Sequence, residues 1–233
     1  MHLFYSEDLT GQWVELSDEE ARHCARVLRL KPGDELFFTD GKGFLCEARL
    51  TDVSSRSATA TIMNRTLQQP RSFSLHLAVA PTKNIDRFEW FLEKATETGI
   101  EEITPLLCEN SERKVIKPER LEKIMLAAMK QSQRFFLPRL NPLIKYSEFI
   151  KKITPDQPGY IAHCHGGPKT HFMDVCEPAK NALILIGPEG DFSPEEVRLA
   201  MDAGMKEISL GDARLRTETA ALVACMGVNL INR

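Results

Sequence analysis

The chain has 233 residues, 42% hydrophobic and 27% charged, with a formal net charge of -3. This composition supports a sizeable core in one large or two smaller domains, and any attraction for nucleic acid has to come from local basic patches. No apolar run nears the roughly 20 residues that cross a bilayer, no signal peptide is visible at the start, and the six cysteines include no Cys-x-x-Cys pair, so the expectation is a cytoplasmic, metal-free protein with reduced cysteines.

The first part reads as mainly β. Gln12–Leu16, Asp34–Thr39, Phe44–Val53 and Ala58–Leu67 are rich in strand formers, and Asp40-Gly41-Lys42-Gly43 is a hairpin turn between two of them. A short helix lies between the first strands. Ser17 is its N-cap, Glu20 three residues on completes a capping box, and it ends near Leu28 to Leu30, before Lys31-Pro32-Gly33-Asp34. Short strands with one helix suggest a small barrel over residues 1–70.

Gln68-Gln69-Pro70-Arg71-Ser72 marks a change of pattern. Beyond it, strand-like and helix-like stretches alternate, which predicts an α/β domain over residues 71–233 with a mostly parallel sheet. The expected strands are Ser74–Ala80, Glu102–Leu107, Pro158–His163, Ala182–Ile186 and Met205–Leu210. The expected helices are Asp86–Thr98, closed by Gly99, then Pro118–Arg134, Ser193–Ala203 and Thr219–Ile231. The third carries complete start signals: Ser193 as cap, Pro194 at the first position, Glu196 for the box, and Phe192 with Val197 for a hydrophobic staple. The last is apolar nearly all round, which calls for burial on several sides, against its own sheet or against a second subunit as well.

Chemistry concentrates in two loops that follow apolar strands and lead into helices, the arrangement by which open α/β sheets build ligand sites. Gly187-Pro188-Glu189-Gly190 is neither a phosphate-binding Gly-Lys-Ser/Thr loop nor a dinucleotide fingerprint, and Glu189 would repel phosphate, so a neutral or cationic ligand fits better. Leu210–Ala220 sets Arg214, Arg216 and Glu218 ahead of the apolar helix, either as a structural Arg–Glu pair or as a contact for a carboxylate or an RNA phosphate. On the Pro118–Arg134 helix, Arg120, Lys123, Lys130 and Arg134 recur on one side. Arg22, Arg26, Arg29 and Lys31 form a smaller cluster in the barrel. Each set is either a solvated face or a track for the phosphate backbone.

Five segments together resemble the bacterial ribosomal RNA small-subunit methyltransferase E family, of the SPOUT class of knotted methyltransferases. They are His23-Cys24-Ala25-Arg26-Val27-Leu28-Arg29 with Gly33-Asp34, Lys83 and Asp86-Arg87-Phe88-Glu89 with Lys94-Ala95-Thr96-Glu97, Gln131-Ser132-Gln133-Arg134 with Pro138, Ile186-Gly187-Pro188-Glu189-Gly190, and Leu215-Arg216-Thr217-Glu218-Thr219-Ala220. Three positions depart from the family pattern: Asp191 stands for a usual second glycine, Ala213 for a usual arginine (with Arg214 beside it), and Thr98 for a usual leucine.

The resemblance implies a PUA-like RNA-binding barrel followed by a SPOUT α/β domain whose C-terminal segment threads a trefoil knot. It also implies S-adenosyl-L-methionine as cofactor, 16S rRNA of the small ribosomal subunit as partner, methylation at N3 of a uridine, and a homodimer built on the C-terminal helix. By the same resemblance the cofactor would be held by Ile186, Gly187, Gly190, Leu210, Gly211, Leu215, Arg216, Thr217, Thr219 and Ala220. RNA would meet Arg22, Arg26, Arg29, Lys83, Arg87, Arg120, Lys123, Lys130 and Arg134. Uracil N3 is a poor nucleophile until it loses its proton, so a base or a cationic group is required. Arg216 is the expected electrostatic stabiliser and Glu218 the expected acceptor, with Glu189 a second candidate. Two other readings compete: a SPOUT methyltransferase acting on another RNA, and a non-catalytic RNA-binding assembly factor with an altered pocket, which Asp191 and Ala213 keep open.

Overall fold

The structure is a computed structural model that describes residues 2–154 and 159–233. Two compact units emerge: the stretch up to Pro70 together with Met129–Leu137, and Arg71–Ala128 together with Pro138–Arg233.

In the N-terminal unit the elements are β1 (Leu3–Tyr5), β2 (Trp13–Leu16), α1 (Asp18–Arg22) continued by a π-helical turn (His23–Leu28), β3 (Glu35–Thr39), β4 (Phe44–Val53) and β5 (Ala58–Leu67). The sheet runs β1-β3-β4-β5-β2, antiparallel except where β1 lies parallel to β3. Alternation along β4 buries Cys46, Ala48 and Leu50 against Phe38, Leu36, Val14 and Ala60, and α1 with its extension closes the core with Ala21 and Cys24. Register shifts at Glu47/Ala48 and Leu50/Asp52 bend the β4–β5 ladder. The result is a curled half-barrel, an open ladder ending at β1 and β2 rather than a closed barrel.

Two details in this unit differ from expectation. β1 was not anticipated, because three residues are too few to show a period. Ser17 does cap α1, accepting from Glu20 N–H at 3.3 Å, but the Glu20 carboxylate takes Lys130 Nζ at 2.9 Å. An ammonium partner replaces the reciprocal bond of a capping box.

The C-terminal unit contains β6 (Leu75–Val79), α2 (Ile85–Thr98), β7 (Glu102–Leu107), the start of α3 (Pro118–Gln131), β8 (Arg139–Leu140), β9 (Ile144–Lys145), α4 (Tyr146–Ile150), β10 (Gly159–Ala162), β11 (Thr170–His171), α5 (Phe172–Val175), β12 (Ala182–Ile186), α6 (Pro194–Asp202), β13 (Lys206–Ser209) and α7 (Thr217–Ile231). Its sheet is parallel throughout, in the order β11-β13-β10-β12-β6-β7-β8, with β9 also on β7. Central β12 is buried at all five residues, as a parallel strand covered on both faces requires. Pro158, the expected start of the strand before His163, lies outside the described residues. The helix expected to reach Arg134 stops at Gln131, because Gln133 turns to a positive φ of 56° and Arg134 N–H bonds back to Met129 O at 3.0 Å.

Strand register sets the position of the site. Ala162 of β10 pairs with Ile186 of β12 on one side and with Ile208 of β13 on the other. Three adjacent parallel strands therefore end at one level, and the loops after them share one space.

Candidate functional site

A cavity of about 690 Å³ opens over those three strand ends, within the size range of small-molecule sites. Ala162, Ile186 and Ile208 line it, and its walls are the loops following β10, β12 and β13. Of the residues expected to hold a ligand, Ile186, Gly187, Leu210, Gly211, Leu215, Arg216, Thr217 and Ala220 all line it. Gly190 and Thr219 do not. Gly190 faces Asn110 instead, whose Cβ would stand 3.0 Å from a Cβ at position 190 and whose Nδ2 donates to Gly190 O at 3.2 Å.

The β12–α6 loop is held from both ends. On the helix side, Ser193 and Glu196 form the full capping box, and the other Glu196 oxygen accepts Glu109 N–H at 2.9 Å. On the strand side, Thr217 Oγ1 donates to Gly187 O at 3.0 Å, which ties this loop to the first residue of α7. Glu189 lines the cavity, but its Oε1 already accepts Lys83 N–H at 2.9 Å, and Arg113 fastens the same segment through Thr82 O at 2.9 Å. Its carboxylate thus serves the β6–α2 connection.

Arg216 is the N-cap residue of α7, and its side chain is exposed at the cavity wall. Glu218 follows in the first turn, where the helix dipole favours a carboxylate. It is only 8% exposed, its Oε1 lies 3.9 Å from Arg87 Nε, and its Oε2 is buried without a hydrogen-bond partner among the described residues. Glu218 is not part of the cavity wall.

The third wall is the part that sequence reading missed. The β10–β11 loop contributes His163, Cys164, Gly167 and Lys169. The available signal was the Gly166-Gly167 pair after an apolar strand. His163 Nε2 lies 2.8 Å from Glu207 Oε1, while burial, helped by nearby Lys169, holds the imidazole below its ordinary pKa. His165 Nε2 lies 2.6 Å from Phe192 O, a contact with a carbonyl that places the proton on Nε2.

The basic candidates fall into different settings. Arg22, Arg26 and Arg29 are exposed on α1, its π-helical extension and the following left-handed residue, Arg29 at φ 55°. Within the C-terminal unit, Lys83 pairs with Glu112 at 2.7 Å, Arg87 approaches Glu218, and Arg120 pairs with Glu89 at 2.6 Å. Lys123 is exposed on the same helix face. Lys130 is taken by Glu20, and Arg134 lies beyond the end of α3.

Comparison with known proteins places these features. Residues 69–229 match the family model described as an RNA methyltransferase domain, and residues 16–63 match an RNA methyltransferase PUA domain. The ribosomal RNA small subunit methyltransferase E of Mesomycoplasma hyopneumoniae is 32% identical over 227 residues, covering 95% of this chain and 96% of that protein. Among solved structures, a probable rRNA-methyltransferase from Porphyromonas gingivalis is 39% identical, with a TM-score of 0.94 over 100% of this chain and 98% of the other. The ribosomal RNA small subunit methyltransferase E from Neisseria gonorrhoeae, solved bound to S-adenosyl methionine, is 29% identical with a TM-score of 0.90 over 100% and 98% of the two chains. Relatedness along its whole length, with both domain models in order, makes this chain a member of the ribosomal RNA small subunit methyltransferase E family.

Proposed function

We propose that this protein transfers the methyl group of S-adenosylmethionine to N3 of a uridine in 16S rRNA of the small ribosomal subunit. The observation that carries this reading is the three-loop cavity in a chain related end to end to that enzyme family. The cavity fits the cofactor chemically. Ile186, Ile208, Leu215 and Ala220 would offer an apolar surface for a flat base, the main chain of the loops would meet its polar edges, and Asp212 would bring a carboxylate to a cationic ligand. When bound, S-adenosylmethionine supplies an electrophilic methyl on a sulfonium.

The chain's own residues have to bring uracil N3 into line and remove its proton. Arg216 stabilises the anionic uracil from the cavity wall. Glu218, in the first turn of α7, accepts the proton on its unpartnered Oε2, with Arg87 beside the other oxygen. Arg22, Arg26 and Arg29 contact RNA phosphates from the half-barrel, which gives a salt-dependent affinity. The target base leaves its stack to reach the cavity. The segment from β12 to α7 forms a trefoil knot in this reading, a rare connection supported by the family likeness. A second copy packs on α7, and an enzyme acting on ribosomal subunits works in the cytoplasm.

Tritium-methyl transfer to small subunits lacking the modification, followed by mapping of the base, tests the reaction. Label at a uridine N3 in 16S rRNA is expected, and label only in tRNA or naked rRNA rules the substrate out. Arg216→Ala should remove transfer by at least roughly a hundredfold while cofactor affinity measured by calorimetry stays close to wild type. Glu218→Gln should lower kcat, and the loss should shrink as pH rises and ionises the uracil without help.

A further inference from the structure

We propose that Asp191 is a positioning residue for the cofactor cavity: its carboxylate latches the β10–β11 loop onto the β12–α6 loop and so fixes the third wall. Asp191 sits at φ 64°, in the left-handed region that favours glycine and that Asp tolerates better than most side chains. Its side chain uses that position. Oδ2 accepts Cys164 N–H at 2.8 Å, 27 residues away along the chain, and Oδ1 accepts Phe192 N–H at 2.9 Å.

The contact is reinforced from the other side. His165 Nε2 bonds Phe192 O at 2.6 Å and stands 4.0 Å from Asp191 Oδ2, and Lys169 Nζ donates to His165 O. Asn110 Nδ2 donates to Asp191 O at 3.1 Å, which holds the backbone of the latch residue itself. A carboxylate accepting main-chain N–H groups makes charge-assisted bonds, stronger than neutral ones. With glycine at 191 the backbone conformation would remain and both bonds would be gone, leaving the β10–β11 loop to His163 on Glu207 and His165 on Phe192 O. Because Cys164 and Asp191 both line the cavity, releasing this loop loosens the wall that the ligand meets.

The assignment of the ligand rests on the proposed function, whereas the latch can be tested without any ligand. In cofactor-free protein, hydrogen–deuterium exchange of the amides of residues 164–169 reports on the β10–β11 loop, the Cys164 N–H being the one that Asp191 holds. Asp191→Gly should exchange there roughly tenfold faster than wild type, with Asp191→Asn in between because its amide oxygen keeps one acceptor. Both residues accept the left-handed backbone, so neither variant strains the turn.

With S-adenosylmethionine, Asp191→Gly should raise KM and the calorimetric Kd by roughly tenfold and leave kcat at saturating cofactor within about twofold, the split expected of a residue that shapes binding and not transfer. Wild-type exchange in Asp191→Gly overturns the latch. Faster exchange with unchanged cofactor affinity overturns its role in the cavity. If wild-type protein binds no S-adenosylmethionine and these amides gain no protection from it, the proposed function fails, and the latch is judged by the ligand-free rates alone.

Discussion

A side chain at position 187 has no room. A Cβ there would meet Phe192 N and Cδ2 at 3.1 Å, and the Phe192 ring is fully buried. Neither neighbour can give way easily, one being main chain and the other core. Gly187→Ala should therefore displace the loop that Thr217 Oγ1 holds and weaken S-adenosylmethionine binding by roughly tenfold or more, as overpacking of this kind costs about 1–3 kcal/mol; calorimetric affinity close to wild type would contradict it. The importance of Gly187 was legible in the sequence as a glycine in a strand-to-helix turn, but the reason was not, because the ring that excludes a side chain lies five residues on and inward. Asp191 is similar. Its departure from the family glycine is visible in the chain, while the loop it holds becomes apparent only once Cys164 is brought beside it.

Among the elements, α6 shows how far local signals reach. Ser193, Pro194 and Glu196 announce its start, and the structure carries out each instruction, with Phe192 and Val197 in one core cluster. Glu196 additionally grips Glu109 N–H, a bond 87 residues distant that no capping rule contains. α7 shows the opposite case. Ala221, Ala224, Cys225 and Val228 are fully buried in the packing against α2, α5, β6 and β12, so burial within its own unit accounts for much of the helix's all-round apolarity. Val223 and Leu230, one heptad apart, remain 38% and 41% exposed. In the proposed homodimer they are the residues left for the second copy. Val223→Glu combined with Leu230→Glu should convert dimer to monomer in sedimentation velocity without unfolding the chain; an unchanged sedimentation coefficient would move the interface elsewhere.

For the whole molecule, two histidines, buried His163 and half-buried His76, set a direction for acid stability. Burial pushes both His76 and His163 below their ordinary value of 6.5, Arg139 adding to the effect at His76 and Lys169 at His163, while Glu102 and Glu207 oppose it. The unfolded chain then takes up protons that the folded chain resists. The stability tied to the neutral rings is complete above about pH 6.5 and is lost as pH falls below it toward the folded pKa values. Glu102 contributes in a lower window: burial pushes its carboxyl up, but hydrogen bonds from Arg139 and Asn141 outweigh this and leave it below its ordinary 4.5, so its share is lost only at more acidic pH. Thermal unfolding should thus show a midpoint that begins to drop near pH 6.5, and His76→Gln should flatten that first drop; a midpoint indifferent to pH between 7 and 5 would count against it.

What the sequence by itself determined is what neighbouring residues can decide: the extents of β4, β5, β7 and β12, the N-caps of α1 and α6, Gly99 at the close of α2, and two of the three cavity loops. Those features rest on period, turn chemistry and capping, which act over a few residues. Tertiary structure alone decided the rest. It left the five-stranded ladder open as a half-barrel, returned residues 129–137 to the N-terminal unit, gave the Glu20 carboxylate to Lys130, and brought the β10–β11 loop beside the other two. The physical reason is register: Ala162, Ile186 and Ile208 lie at one level because hydrogen-bond ladders join strands far apart in the chain, and no local pattern records which strand ends will meet.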